Sequence, residues 1–95
     1  MFIAIATHHP HPDHVEDFLA HMHRVVDATA GAKGLLEFDC YRNEETGALL
    51  GVSKWESPEA FEEALPLIGS CSHLRQDEWT VAEDELQLLA SVGQD

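Results

Sequence analysis

The spacing of hydrophobic residues changes several times along the chain, and each change predicts a new element. Residues 2–8, FIAIATH, form a short, β-branched apolar run closed by a Pro-containing corner, which is typical of a strand. From Asp13 onward, apolar residues recur every three or four positions, which predicts an amphipathic helix ending near Gly31. We expect its polar side to carry Glu16, Asp17, His21 and Arg24.

The second half of the chain predicts a hairpin, a helix and a last strand. Residues 34–43 and 48–55 are strand-like runs on either side of EETG. Ser57 as the cap and Pro58 at the first helical position predict a helix to about Leu65, where Pro66 breaks or kinks it. A short helical turn precedes a strand over residues 78–92, whose apolar phase slips between Val81 and Leu86, which indicates a bulge or bend.

This order of elements predicts the ferredoxin-like βαββαβ arrangement, an α+β fold with both helices on one face of a four-stranded antiparallel sheet. At 95 residues there is room for one domain, residues 1–95. The hairpin strands are apolar at both parities: Leu36, Phe38 and Cys40 against Leu35 and Tyr41, and Leu50 and Val52 against Leu49 and Trp55. A sheet with two apolar faces needs a second cover, so we expect a homodimer, a dimeric α+β barrel.

The net charge of the chain limits the classes of partner that we expect. Eighteen acidic and five basic residues give a formal net charge of −13, which repels phosphate backbones and anionic lipids, so we expect neither nucleic acid nor membrane partners. No apolar run reaches the roughly 20 residues of a membrane span, and the N-terminus lacks a signal-peptide pattern, so we expect a cytoplasmic protein. Cys40 and Cys71 form no C-x-x-C pair and are interpreted as small hydrophobes.

The run HHPHPDH raises the question of a metal site. His9, His11 and His14 lie at a strand end, a loop and a first helical turn, so two or three of them could converge on one ion, with Asp13 or Asp17 as a further ligand. The preferred interpretation is a solvated turn between strand and helix. We therefore expect no bound metal, and keep these three histidines as the alternative.

The segment KWESPEAFEEAL, residues 54–65, follows the hairpin and precedes the interrupted helix. It resembles the antibiotic biosynthesis monooxygenase family of small dimeric α+β barrels, which includes cofactor-independent anthrone and quinol monooxygenases and haem-degrading enzymes. The resemblance covers nearly the whole chain in length and element order. It implies that Trp55 lines a substrate pocket and that Arg75 binds or polarises the substrate. Polar residues that some members carry fall here on Gly51, near Ala6, and near Ala64 and Gly69.

The resemblance implies a cofactor-independent monooxygenase that uses dioxygen on a quinol- or anthrone-like aromatic substrate in a pocket of a homodimer. Such chemistry needs a dry apolar pocket, a base and a donor for a developing oxyanion. Candidate bases are His73 and then His8, and Arg75 is the anion stabiliser unless it pairs with Asp77 or Glu78. Candidate pocket residues, which core packing would also explain, are Trp55, Phe38, Tyr41, Phe61 and Trp79.

Two alternatives remain open. The substitutions at Gly51, Ala64 and Gly69 favour a non-catalytic dimeric module that binds a small molecule. Haem binding and degradation is the third interpretation, which the acidic charge opposes because haem carries two propionates.

Overall fold

The computed structural model describes residues 1–93. Its strands are β1 (Phe2–Pro10), β2 (Leu35–Arg42), β3 (Leu49–Trp55) and β4 (Thr80–Ala90), and its helices are α1 (Val15–Thr29) and α2 (Pro58–Gly69). Short 3₁₀ turns occupy Pro12–His14, Ser72–Leu74 and Asp77–Trp79. The strands form one antiparallel sheet in the order β2-β3-β1-β4, which confirms the predicted ferredoxin-like fold. Within this described part, neither helix has the length and hydropathy that crossing a bilayer requires.

Helix α2 begins as predicted but ends later. The Ser57 hydroxyl accepts a hydrogen bond from the Ala60 backbone N–H at 3.2 Å, and Pro58 occupies the first turn. The predicted end near Leu65 is wrong, because α2 continues through Pro66 to Gly69. A proline in a helix interior removes one backbone hydrogen bond, and here packing on both sides of it offsets that cost: Phe61 and Ala64 are buried before it, and Ile68 packs on the same core after it.

Both helices cover the same face of the sheet. One buried cluster joins β1 and β3 to α2, and a second joins β3 to α1 and the turn before β4. The first cluster contains Phe2, Ala4, Trp55, Phe61 and Ala64, and the second contains Phe18, Met22, Leu49 and Trp79. The core is therefore split in two along the strands.

Strand β2 departs from the predicted alternation at its start. A register shift lies between Leu35, which pairs with Trp55, and Glu37, which pairs with Lys54. Leu35 and Cys40 consequently pack against the core, while Leu36 is 53% exposed. The predicted grouping of Leu36 with Phe38 and Cys40 is wrong, because a bulge changes the parity there.

The face of the sheet away from the helices carries the other set of apolar residues. Ile5 pairs with Val52 and Tyr41 pairs with Leu50, so these side chains share that face. Ile5, Val52 and Leu50 are partly exposed, and Tyr41 is 52% exposed. The predicted alternation of Leu50 and Val52 against Leu49 and Trp55 is confirmed, because Leu49 and Trp55 are fully buried. The homodimer stays a prediction.

The predicted irregularity in β4 is present. Thr7 of β1 pairs with Glu85, but His9 pairs with Ala82, so Glu83 and Asp84 both lie opposite His8. Such a bulge interrupts the ladder and increases the local twist. It lies opposite His8, a residue of the cavity described next.

Candidate functional site

A cavity of about 290 Å³ lies between the helix-covered face of the sheet and the two helices. Most of its wall is apolar, and its size is at the lower end of the range for small-molecule sites. The apolar wall is formed by Ala6, Met22, Val25, Phe38, Gly51 and Ile68. The polar side chains that reach it are those of His8, His21, Cys40, Ser72 and Arg75. The cavity can therefore hold a compact, mainly hydrophobic molecule with a few fixed polar contacts.

His8, the second candidate base from the sequence, lies at the cavity and contacts a carboxylate. Its Nδ1 is 3.0 Å from Oδ1 of Asp84, which is an ion-pair distance. The two atoms do not meet the geometry of a hydrogen bond. The side chain is only 16% exposed. Because Nδ1 faces Asp84, Nε2 on the other side of the ring remains available to a ligand. A carboxylate in this position orients an imidazole and stabilises its protonated form.

Arg75 pairs with Asp84, rather than with Asp77 or Glu78 as the sequence alternative had it. Both guanidinium nitrogens Nη1 and Nη2 donate to the carboxylate, the Nη2–Oδ1 distance being 3.0 Å. The guanidinium carbon lies 5.0 Å from the centroid of the Phe18 ring, within the range of a cation–π contact. These contacts fix Arg75 at the edge of the cavity.

Asp84 thus connects the base and the cation. Burial alone would raise its pKa, but the contacts with Arg75 and His8 outweigh burial and hold the pKa of Asp84 below its usual value. The carboxylate is therefore ionised at neutral pH, and the pair of Arg75 with Asp84 carries no net charge.

The position predicted for His21, on the polar side of α1, is wrong. The side chain is only 7% exposed and lines the cavity. Its ring packs edge-on against Phe18 at 5.8 Å and Trp79 at 6.2 Å between centroids. Its Nδ1 is buried and has no hydrogen-bond partner among residues 1–93. Because Nδ1 has no accessible surface, Nε2 is the ring nitrogen that His21 can present to the cavity.

The surroundings of His21 favour its neutral form. Burial lowers its pKa, and the positive charges of nearby groups lower it further, while one carboxylate acts in the opposite direction. The groups that lower it are Arg24, Arg75 and His8, and the one that raises it is Asp84. At neutral pH His21 therefore presents one donor and one acceptor nitrogen.

Of the five predicted pocket aromatics, the cavity wall includes Phe38. Trp55 is fully buried in the core, where its indole N–H donates to the Ser53 hydroxyl at 2.8 Å. Phe61 packs against Trp55, with 5.8 Å between ring centroids. Trp79 is 8% exposed and packs in the cluster of α1, while Tyr41 lies on the opposite face of the sheet. The structure thus places these four side chains in the core or on the far face.

His73, the first candidate base, lies in the 3₁₀ turn Ser72–Leu74 and is exposed. Its neighbours Ser72 and Arg75 reach the cavity, whereas the described wall does not include His73. The structure therefore brings His8, His21 and Arg75 together and leaves His73 outside this group.

The three histidines of the metal alternative point to different carboxylates or backbone groups. His9 Nε2 lies 3.2 Å from Glu85, and His14 Nδ1 lies 2.9 Å from Asp17. His11 Nδ1 accepts a hydrogen bond from the Asp13 backbone N–H at 3.1 Å and so caps the 3₁₀ turn. Residues 1–93 contain no group of three or more metal-ligating side chains within reach of one ion.

Both cysteines are free and partly buried. Cys40 reaches the cavity, and burial, helped by the negative charge of Asp39, raises the pKa of its thiol. A thiol held in this way is a poor nucleophile.

These features describe a ferredoxin-like α+β protein with a small-molecule cavity beneath its helices. The profile of the antibiotic biosynthesis monooxygenase family matches residues 1–65, and the chain belongs to this family. The resemblance proposed from residues 54–65 is thereby confirmed. A comparison with curated proteins found no match.

Solved structures share the fold over almost the whole chain. Rv0793 from Mycobacterium tuberculosis is 20% identical with a TM-score of 0.83, over 98% of this chain and 96% of that one. A structure named antibiotic biosynthesis monooxygenase is 17% identical with a TM-score of 0.80, over 98% and 100%. A mutant of MhuD with two manganese protoporphyrin IX molecules bound per active site is 17% identical with a TM-score of 0.78, over 100% and 98%. Identities this low show similarity of fold alone.

Proposed function

We propose that this protein is a cofactor-independent monooxygenase that oxidises a small quinol- or anthrone-like aromatic substrate with dioxygen, in a cavity within each subunit of a homodimer. The observation that carries the proposal is the group formed by His8, Asp84 and Arg75 beside a mainly apolar cavity. Membership of the antibiotic biosynthesis monooxygenase family supports the reaction class.

His8 acts as the general base in this proposal. Its Nε2 takes a proton from the phenol or the acidic C–H group of the substrate, and Asp84, 3.0 Å from Nδ1, holds the ring and stabilises the imidazolium. His8 is preferred to His73 because His8 reaches the cavity and has an orienting carboxylate. A positioned base of this kind contributes typically about 10²–10⁴-fold to a rate.

The deprotonated substrate itself supplies the electrons. One electron passes from the substrate anion to dioxygen, the two radicals combine into a peroxide anion at carbon, and the His8 imidazolium returns its proton to give the hydroperoxide. Loss of water from the hydroperoxide then leaves a carbonyl, so that in an anthrone-like substrate a CH₂ group and O₂ give C=O and H₂O. The Arg75 guanidinium, fixed over Phe18, stabilises negative charge at the cavity edge, and the apolar wall keeps water out.

The exposed apolar face supports the dimeric part of the proposal. Ile5, Val52 and Leu50 share the face opposite the helices, with Tyr41 at its side. Contiguous apolar surface on a small domain marks an interaction site, and a second copy of the same sheet offers a matching surface.

Haem fits this chain poorly, although the MhuD structure holds a porphyrin. The cavity of about 290 Å³ is at the lower end even for ordinary small-molecule sites, and a porphyrin macrocycle is a large ligand. Arg75 is the cation among the described residues of the cavity wall, and one guanidinium already paired with Asp84 cannot balance the charges of two propionates.

Oxygen uptake by chelator-treated protein tests the proposal. We expect uptake with at least one of an anthrone, a hydroquinone and a catechol to survive chelation and to fall at least tenfold in His8→Ala. The variant His73→Ala discriminates between the two candidate bases, and His23→Ala, an exposed position on α1, is the neutral control. Uptake that requires added metal, or that is equal in wild type and His8→Ala, would contradict the mechanism. Ligand binding without uptake would favour the non-catalytic binding module.

A further inference from the structure

The cavity contains a second histidine that the proposed reaction leaves without a role. His21 is 7% exposed, lines the cavity, and keeps Nδ1 buried without a hydrogen-bond partner among the described residues. Because Nδ1 has no accessible surface, the ring nitrogen that His21 can offer to the cavity is Nε2. A ligand hydroxyl or carbonyl oxygen is a suitable hydrogen-bond partner for this nitrogen.

Three of the polar side chains of the cavity, those of His8, His21 and Arg75, gather at one end. The Phe18 ring lies between His8, at 4.8 Å, and His21, at 5.8 Å between centroids, and the Arg75 guanidinium lies over the same ring at 5.0 Å. All three polar side chains therefore surround one point of α1, near the carboxyl end of β1.

Beyond these groups the wall is mainly apolar, with Cys40 and Ser72 as its other polar residues. His8 pairs with Leu49, whereas the Phe38 ring lies beside Gly51, two residues further along β3, a distance of roughly 7 Å. On α1, Val25 lies two turns beyond Phe18. A ligand oxygen placed at that end would meet the Phe38 ring and aliphatic side chains and lose its hydrogen bonds to water.

The charges at the polar end select an uncharged ligand. Asp84 neutralises Arg75, and His21 is held neutral by its burial and by the neighbouring cations. Such an environment offers donors and acceptors rather than a net charge, which matches hydroxyl or keto groups.

We infer that His21 is a second ligand-binding residue and that, with His8, it selects neutral aromatic molecules carrying two oxygen atoms at neighbouring positions of one edge. One oxygen bonds His8 Nε2 and is the group that loses its proton, while the other bonds a ring nitrogen of His21. A ligand with its two oxygens at opposite ends leaves one of them in the apolar end. The inference names the substrate class of the proposed reaction and in that sense rests on it.

Three air-stable naphthols separate these cases by titration calorimetry. Naphthalene-2,3-diol carries two neighbouring hydroxyls, naphthalene-2,6-diol carries them at opposite ends, and 2-naphthol carries one. We expect the 2,3-diol to bind wild-type protein roughly tenfold more tightly than 2-naphthol, since one added neutral hydrogen bond is worth about that factor. The 2,6-diol should bind no more tightly than 2-naphthol.

Variants of His21 assign the preference to this residue. His21→Leu should reduce the affinity for the 2,3-diol to that of 2-naphthol, while the affinity for 2-naphthol changes less than twofold. His21→Gln keeps a donor and an acceptor, and should retain part of the preference. His23→Leu, on the exposed side of the same helix, should leave all three affinities unchanged. Thermal denaturation of each variant checks that it is folded before titration.

The outcomes are distinct. A wild-type preference for the 2,6-diol, equal affinities for the 2,3-diol and 2-naphthol, absence of binding by all three, or an equal loss of all three in a folded His21→Leu or His21→Gln variant would overturn the inference. If the inference fails in any of these ways while oxygen uptake still depends on His8, the proposed reaction stands and only the role of His21 falls. If uptake is also absent, the proposed reaction falls as well.

Discussion

The buried, neutral state of His21 makes the stability of this protein depend on pH. In the folded chain its pKa is lowered, first by burial and then by Arg24, Arg75 and His8. In the unfolded chain it titrates near about 6.5. Below that pH the unfolded chain binds a proton that the folded chain excludes, so protons favour unfolding. The stability linked to His21 is therefore fully present above about pH 6.5 and is lost as the pH falls toward the folded pKa.

The magnitude follows from this linkage. While the folded pKa lies below the pH of measurement, stability decreases by up to about 1.4 kcal/mol for each pH unit below 6.5. At pH 5.5 the loss is at most about 1.4 kcal/mol, which for a domain of this size corresponds to roughly 6–11 °C in melting temperature. Replacing His21 with Gln removes the titrating group and should remove this part of the pH dependence.

The assay is thermal or urea unfolding of wild type and His21→Gln between pH 5 and 8, at one protein concentration because dimerisation would shift the midpoint. We expect the variant to gain on the wild type steadily as the pH decreases from 6.5. His23→Gln, exposed on the same helix, should follow the wild type. Parallel curves for wild type and His21→Gln would refute the reasoning, since they would mean that His21 accepts a proton equally in both states.

Three further predictions concern other contacts. Ser53→Ala leaves the buried indole N–H of Trp55 without its acceptor and should cost about 1–3 kcal/mol in urea unfolding, and a change below about 0.5 kcal/mol would mean that another acceptor replaces it. Leu50→Asp should weaken self-association by roughly a hundredfold in light scattering, since it puts a charge into the proposed interface, and Leu65→Asp on α2 should not; equal effects would argue against this interface. The depressed pKa of Asp84 stabilises the fold above about pH 4 and less as the pH falls, so the stability of Asp84→Asn should approach that of wild type in acid, and a constant difference down to pH 2 would contradict the ion pair.

Hydrophobic spacing predicted the fold because each helix and strand carries its own local signal. The spacing of three and four residues over α1 and the Ser57–Pro58 cap of α2 needed no knowledge of the rest of the chain. The errors fall where packing elsewhere decides the outcome. Pro66 looked like a helix end because the burial of Ile68, which keeps the helix intact beyond it, depends on the sheet beneath. Leu35, rather than the predicted Leu36, faces the core because a bulge between Leu35 and Glu37 changes the alternation. Since both residues are apolar, the sequence does not show this bulge.

The candidate site was less visible for a related reason. His21 follows Phe18 by three residues and precedes Val25 by four, so it lies on the apolar stripe of α1. This spacing is the sequence feature that indicates a buried position for His21. It was overlooked because histidine was counted as polar. Asp84 lies on the same side of β4 as Leu86 and Leu88 by alternation, but Leu89 on the other side is apolar as well. The sequence of β4 alone therefore does not show which side faces the helices, and the pairing with β1 is needed to decide it.

The net charge and the local charge of this protein lead to one conclusion about how the proposed reaction begins. A formal charge of −13 repels anions in general, so an already ionised phenolate approaches at a disadvantage. Within the cavity Arg75 is neutralised by Asp84, while His21, beside Arg24 and Arg75, stays neutral. A neutral phenol or quinol enters such a site without an electrostatic penalty and becomes anionic after His8 takes its proton. The negative charge then develops next to Arg75 and the imidazolium of His8, where it is stabilised, and away from bulk water.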